Sequence, residues 1–173
     1  FDPGSGKVSV WSAIGVTVTN LWAANSYEFA ADRPTLDTLY WGPLRSRIVS
    51  VDTSQLSGAT DMGCWFTGCT SLSDISAFRI PDGSRGGSVP SSLYSLFNVF
   101  TSTEDDLTNL ITELPPTFYL PEGVTNLHVA FGGCQNLETV YEGFAFPSTL
   151  AIGGFEGCIS LKYVPGSLFS RLT

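Results

Sequence analysis

Charge is what this 173-residue chain has least of: 14% of its residues are Asp, Glu, Lys or Arg, against roughly 25% in an average soluble protein. Eight residues are basic and 16 acidic, for a formal net charge of −8. With no basic stripe to neutralise phosphates, nucleic acid is excluded as a partner. Electrostatic attachment to anionic lipid is excluded on the same ground. The lone Met and the two Lys speak against a helical bundle, which would use more of both. No apolar run approaches the roughly 20 residues that span a bilayer, so no membrane insertion by this segment is expected. The chain opens on Phe1 with neither an initiator Met nor a signal-type segment. The expectation is therefore a cut piece of a longer precursor.

What is present is apolar and small. Hydrophobic residues make up 43% and aromatics 13%, enough to pack one domain or one domain with a small appendage. The polar surface falls to 21 Ser and 17 Thr, accompanied by 18 Gly and 10 Pro. That mixture favours turns, short strands and tight coils over long helices.

The chain also repeats itself. Phe66-Thr-Gly-Cys69-Thr-Ser-Leu72-Ser-Asp-Ile75 returns as Phe131-Gly-Gly-Cys134-Gln-Asn-Leu137-Glu-Thr-Val140, and again as Phe155-Glu-Gly-Cys158-Ile-Ser-Leu161-Lys-Tyr-Val164. The shared pattern is F-x-G-C-x-[SN]-L-x-x-[IV]. Pro90, Leu93, Leu96 and Phe100 have the spacing of Pro121, Val124, Leu127 and Phe131. Phe100 thus opens a degenerate copy, interrupted by a five-residue excess around Glu104, Asp105 and Asp106. Leu114 to Phe118, Val140 to Phe144 and Val164 to Leu168 are equivalent exits. Copies centred near 66, 100, 131 and 155 give periods of 34, 31 and 24 residues. A period of 20–29 residues with fixed Leu positions is that of leucine-rich solenoids, in which stacked coils bury the faces that one coil cannot. Gly68, Gly133 and Gly157 fall where the chain must turn sharply. Phe and Leu supply core volume, and Cys is a small buried filler.

The pattern resembles the BspA-type leucine-rich repeats and the related repeats of mycoplasma-type surface lipoproteins, over residues 56–173. Tyr40-Trp41-Gly-Pro-Leu44 and Arg47-Ile-Val-Ser-Val51 are similar to the lead-in of such arrays. The copy at Phe100 departs from a uniform superhelix. The resemblance implies an extracellular protein, secreted or on a bacterial cell surface, used for adhesion or recognition. It implies no catalytic residues, because the motif consists of core positions.

Residues 1–45 lack the repeat. Lys7-Val-Ser-Val-Trp11 and Val16-Thr-Val-Thr-Asn-Leu21 alternate like strands, which predicts a hairpin or small sheet. A β-rich cap sealing the array is the plain role for this region; a separate small binding domain is the alternative. The array, residues 46–173, is expected to be truncated at its C-terminus or to continue in a longer protein.

Candidate sites are few. Cys64, Cys69, Cys134 and Cys158 allow three complete pairings. Three share one inward slot, which favours four reduced, buried thiols; Cys134 and Cys158 are the pair to expect otherwise. A zinc site is not expected, with stacked Cys and one His. His128, between Leu127 and Val129, lacks a nucleophile motif and reads as an edge residue. Glu104 to Asp106 lack the spaced ligands and Gly of a calcium loop. Trp11, Trp22, Tyr27, Tyr40, Trp41 and Trp65 crowd the first 65 residues. Their rings can stack on sugars, anchor a protein partner, or close the cap over the first coil.

The fold expected is a mainly β leucine-rich-repeat solenoid of about four irregular coils with short helical turns, behind a small β-rich N-terminal cap. The function expected is a non-catalytic, monomeric recognition or adhesion module for a host protein or glycan, without cofactor or metal. A secreted carbohydrate-active enzyme and a structural stalk are the alternatives.

Overall fold

The structure, a computed structural model, describes residues 1–18, 42–99, 107–150 and 154–171. Its logic begins in the repeat motif, which is a chain of turns. In Phe66-Thr67-Gly68-Cys69 the Cys69 N–H donates to the Phe66 carbonyl at 3.3 Å, with Gly68 at φ 73°. The bond recurs from Cys134 to Phe131 at 3.0 Å and from Cys158 to Phe155 at 3.3 Å, with Gly133 and Gly157 at φ 70° and 74°. Positive φ at the third turn position is the type II geometry, and it explains the Gly. A second turn follows at once, as the N–H groups of Leu72, Leu137 and Leu161 reach the carbonyls of Cys69, Cys134 and Cys158. Another precedes it, with Cys64, Ser95 and Val129 as third residues at φ 59°, 58° and 46°.

Hydrogen bonds then place these turns side by side. Phe66, Phe97 and Phe131 donate from their N–H groups to the carbonyls of Leu96, Ala130 and Gly154 at 2.9, 2.7 and 2.9 Å. Phe66, Phe97, Phe131 and Phe155 are therefore equivalent, at spacings of 31, 34 and 24 residues. Phe97, three residues before the expected Phe100, holds the place, and Val99 stands in the Gly slot. Phe100 itself lies outside the described residues, as do Glu104, Asp105 and Asp106.

The four rings form a column, with centroids 5.9, 6.0 and 4.9 Å apart in chain order. A second column, Phe78, Phe118 and Phe144, interlocks with it at 5.6 and 6.4 Å spacing. Edge contacts such as Phe118 on Phe131 at 5.5 Å and 65° join the two. Except for partly buried Phe155, every ring is fully buried. Each buried side chain contributes about 1.5–3 kcal/mol, and each aromatic pair about 0.5–1.5 more.

Strands are short. β1 (Lys7–Ser9), β3 (Ser50–Asp52) and β5 (Asp74–Ala77) form one parallel sheet in the order β1-β3-β5. The register is Val8 to Val51, then Ser50 to Asp74 and Asp52 to Ala77, the extra β5 residue making a bulge. β2 (Thr17–Val18) pairs in parallel with β4 (Gly58–Ala59), and β6 (Glu113–Leu114) with β7 (Thr139–Val140). A single parallel bridge carries Thr139 to Tyr163.

The expected fold is corrected here. A leucine-rich-repeat solenoid of about four coils with a β cap is not what the chain builds. The described residues are mostly coil, with three small, separate parallel sheets and no α-helix; the helical turns are 3-10, at Gly42–Arg47 and Gly166–Phe169. The physical reason is the turn density. Bonds from each residue to the third before it, with positive φ at the corners, stop strands after two to four residues, and unequal spacings keep the pieces from merging. Of the hairpin or small sheet expected near the N-terminus, the described residues show small sheets without a hairpin, since β1 and β2 each pair with a later strand instead of each other. Val8 and Val10 accordingly belong to the main core.

Candidate functional site

Parallel pairing of β1 with β3 sends Val8 and Val10 inward and leaves Ser9 and Trp11 facing out. Val10 N–H donates to the Asp52 carbonyl at 2.9 Å. Ser12 then anchors the outgoing chain: its hydroxyl donates to the Val16 carbonyl at 3.0 Å and accepts from Ser57 N–H at 2.9 Å. The Trp11 side chain between these anchors is 73% exposed. It borders a cleft of about 420 Å³ whose other walls are Ser9, Val10, Ser12, Asp52, Gln55 and Arg85.

Arg85 also walls a second cleft of about 200 Å³, where Arg79, Asp82, Ser84, Thr117 and Tyr119 supply polar edges. The two clefts share Arg85 as a wall, and the trough they make up is lined by Trp11 in the first and by Arg79 and half-exposed Tyr119 in the second. Arg79 Nη1 donates to the carbonyls of Ser76 and Phe78, both at 2.8 Å. Arg85 donates to the Ser54 carbonyl at 3.2 Å and to Gln55 Oε1 at 3.4 Å.

Both carboxylates in the trough are tied to their own turns. Asp52 Oδ1 accepts from Ser54 N–H at 3.0 Å and the Ser54 hydroxyl at 2.6 Å, and Oδ2 accepts from Lys7 Nζ at 2.9 Å. The Ser54 hydroxyl, then Lys7, holds Asp52 down to about 2, against the opposing effect of burial. Asp82 is lowered by Ser84, whose N–H reaches it at 2.9 Å. Neither is a protonated acid near neutral pH. The arrangement offers a ring face, a planar amide, guanidinium forks and hydroxyls, the groups that hold a saccharide by stacking and hydrogen bonding. A third cavity, about 320 Å³, is apolar and lies among Val140, Phe146, Phe155, Leu161, Leu168 and Phe169.

The residues singled out in the sequence scatter. Trp65 is buried in the core, while Trp22, Tyr27, Tyr40 and Trp41 lie outside the described residues. His128 is on the surface, 3.5 Å from Glu156 and with its ring 5.8 Å from Tyr94. All four cysteines are free; Cys69 and Cys134 are buried, Cys64 and Cys158 half-buried. Burial pushes all four thiols up, Cys134 and Cys158 to about 12. Among the described residues no group of three His, Cys, Asp or Glu could hold a metal, and no helix is long and apolar enough to cross a membrane. Asp52, Gln55, Arg79, Arg85 and Tyr119 were not legible as a group. The signal available was the pair of Asp-x-Ser turns at Asp52 and Asp82, which marks turns and names no ligand.

The chain matches no family model, no curated protein and no solved structure.

Proposed function

We propose that the protein is a non-catalytic recognition module that takes a glycan in the Trp11 cleft. The observation that carries the reading is Trp11 itself. A large ring left 73% exposed, on backbone anchored from both sides, stacks on a sugar with little ordering cost. Asp52, Gln55, Ser12 and Arg85 stand where ring hydroxyls would meet them. The acidic, Ser- and Thr-rich composition and the resemblance of the repeat to bacterial surface repeats support a place outside the cell, secreted or on the surface.

A second reading is a protein partner. It is favoured by Ile14 and Val16, 78% and 51% exposed beside Trp11, which would serve with the ring as an anchor patch. Binding to an immobilised oligosaccharide panel, followed by calorimetry on the hits, separates the two. The glycan reading expects binding that Trp11→Ala weakens about tenfold or more, in the 1–3 kcal/mol range of ring stacking on a planar partner, while Ile14→Ser leaves it unchanged. A panel without hits sinks it.

A further inference from the structure

We propose that Arg79 and Arg85 make the trough selective for saccharides that carry a carboxylate; this rests on the glycan reading above. In a chain of net charge −8 most cations are expected to find an acid. Lys7, Lys162 and Arg171 do, against Asp52, Glu138 and Glu122 at 2.9, 2.8 and 3.1 Å. Arg79 and Arg85, like Arg47, form no ion pair among the described residues, and these two alone of the three line one cleft together.

Their unused donors set the preference. Arg79 spends Nη1 on two backbone carbonyls, so its planar fork is held in place, and among the described residues Nη2 and Nε take no acceptor. Arg85 is fixed by the Ser54 carbonyl and the Gln55 amide, and among the described residues its Nε takes no acceptor. Such a guanidinium pairs bidentately with a carboxylate and loses little freedom in doing so. Neither acid facing the trough forms an ion pair with these arginines among the described residues. Asp52 already receives three donors, one of them Lys7, and Asp82 is engaged by Ser84. Among the described residues the trough therefore holds two guanidinium groups that no carboxylate of the chain pairs with, which a carboxylate on the sugar would use and a neutral sugar would not. Trp11 in the first cleft supplies the stacking face, whereas the Tyr119 ring in the second already carries the Arg171 guanidinium, 5.4 Å from its centroid.

Calorimetry with oligogalacturonate and its methyl ester, the same rings with and without charge, tests this alongside a sulfated oligosaccharide, a neutral one and a poly-glutamate peptide. The free acid is expected to bind about tenfold tighter than the ester, the worth of a charge-assisted hydrogen bond. The preference is expected to fall with added salt and to vanish in Arg79→Gln/Arg85→Gln, while Arg85→Lys retains part of it. Circular dichroism of the double variant checks that it is folded. Equal binding of acid and ester, or neutral or sulfated sugars binding best, overturns the selectivity and leaves the glycan reading standing. Poly-glutamate binding as well as the sugar acid overturns it too, because charge alone would then suffice. A preference unchanged in the double variant removes these arginines from the role. If no saccharide binds, both readings fall.

Discussion

Single residues here do most of their work through turns. Asp52, Asp74 and Asp82 each have a Ser two residues on whose N–H they accept, at 3.0, 2.9 and 2.9 Å, and all three are lowered by it. A carboxylate whose folded value is depressed stabilises the fold above its unfolded value and loses that contribution as pH falls through the folded one. For Asp52 the window runs from 3.8 down to about 2. The contribution is no more than about 1 kcal/mol at so solvent-facing a site. Thermal melts between pH 5 and 2 are expected to fall through this window, and Ser54→Ala, which removes the largest cause, to flatten the fall. A steeper fall in the variant would contradict the assignment.

At the scale of elements, the informative comparison is between neighbouring turn layers. The layer opening at Phe97 lacks the F-x-G-C motif, and Asn109 compensates. Its Nδ2 donates to the Phe97 carbonyl at 3.2 Å and to Cys134 Sγ at 3.1 Å, while its Oδ1 accepts from Ile111 N–H. With Glu113 opposite Thr139, Ile111 corresponds to Leu137. Fourteen residues therefore separate Phe97 from Ile111 where six separate Phe131 from Leu137. The repeat was legible because its fixed residues answer to local φ and turn bonds. The register of the degenerate copy was not, because Phe97 and Phe100 are equally apolar and only pairing across layers distinguishes them.

Close approach between layers yields a sharp test. A Cβ on Gly154 would fall 1.8 Å from the Leu127 carbonyl oxygen and 3.1 Å from Ala130 N. It would also displace the bond from Phe131 N–H to Gly154 O. Gly154→Ala is expected to cost about 3 kcal/mol in urea unfolding, the upper part of the overpacking range. Gly166→Ala, whose Cβ meets nothing within 4 Å, is expected to stay within about 0.5 kcal/mol of the parent. Equal costs at the two sites would refute the packing seen between the Phe131 and Phe155 layers.

Across the whole molecule, two interlocked Phe columns form one apolar spine from Phe66 to Phe155, and the thiols report on it. Cys69 and Cys134 lie in that core, whereas Cys64 and Cys158 are half-buried. With a maleimide under native conditions, Cys64 and Cys158 are expected to react first. Cys69 and Cys134 wait for opening of the core and so follow its stability. Four thiols are expected to label after unfolding without reductant; fewer would mean that a disulfide exists.

The sequence by itself determined the turns: F-x-G-C demands a glycine at positive φ, and Cys-x-[SN]-Leu closes the next corner, both within four residues of chain. It also determined which residues are apolar enough to fill the core. Tertiary structure alone decided that the strands stay short and separate, that β1 joins β3 instead of β2, and that Phe97 holds the second place in the column. It decided the candidate site as well. Trp11, Asp52, Arg79, Arg85 and Tyr119 span more than a hundred positions in the chain and line two clefts that share Arg85 only because the fold lays their segments side by side. A ring's exposure and a guanidinium's lack of an acid are properties of what surrounds them, which no local pattern contains.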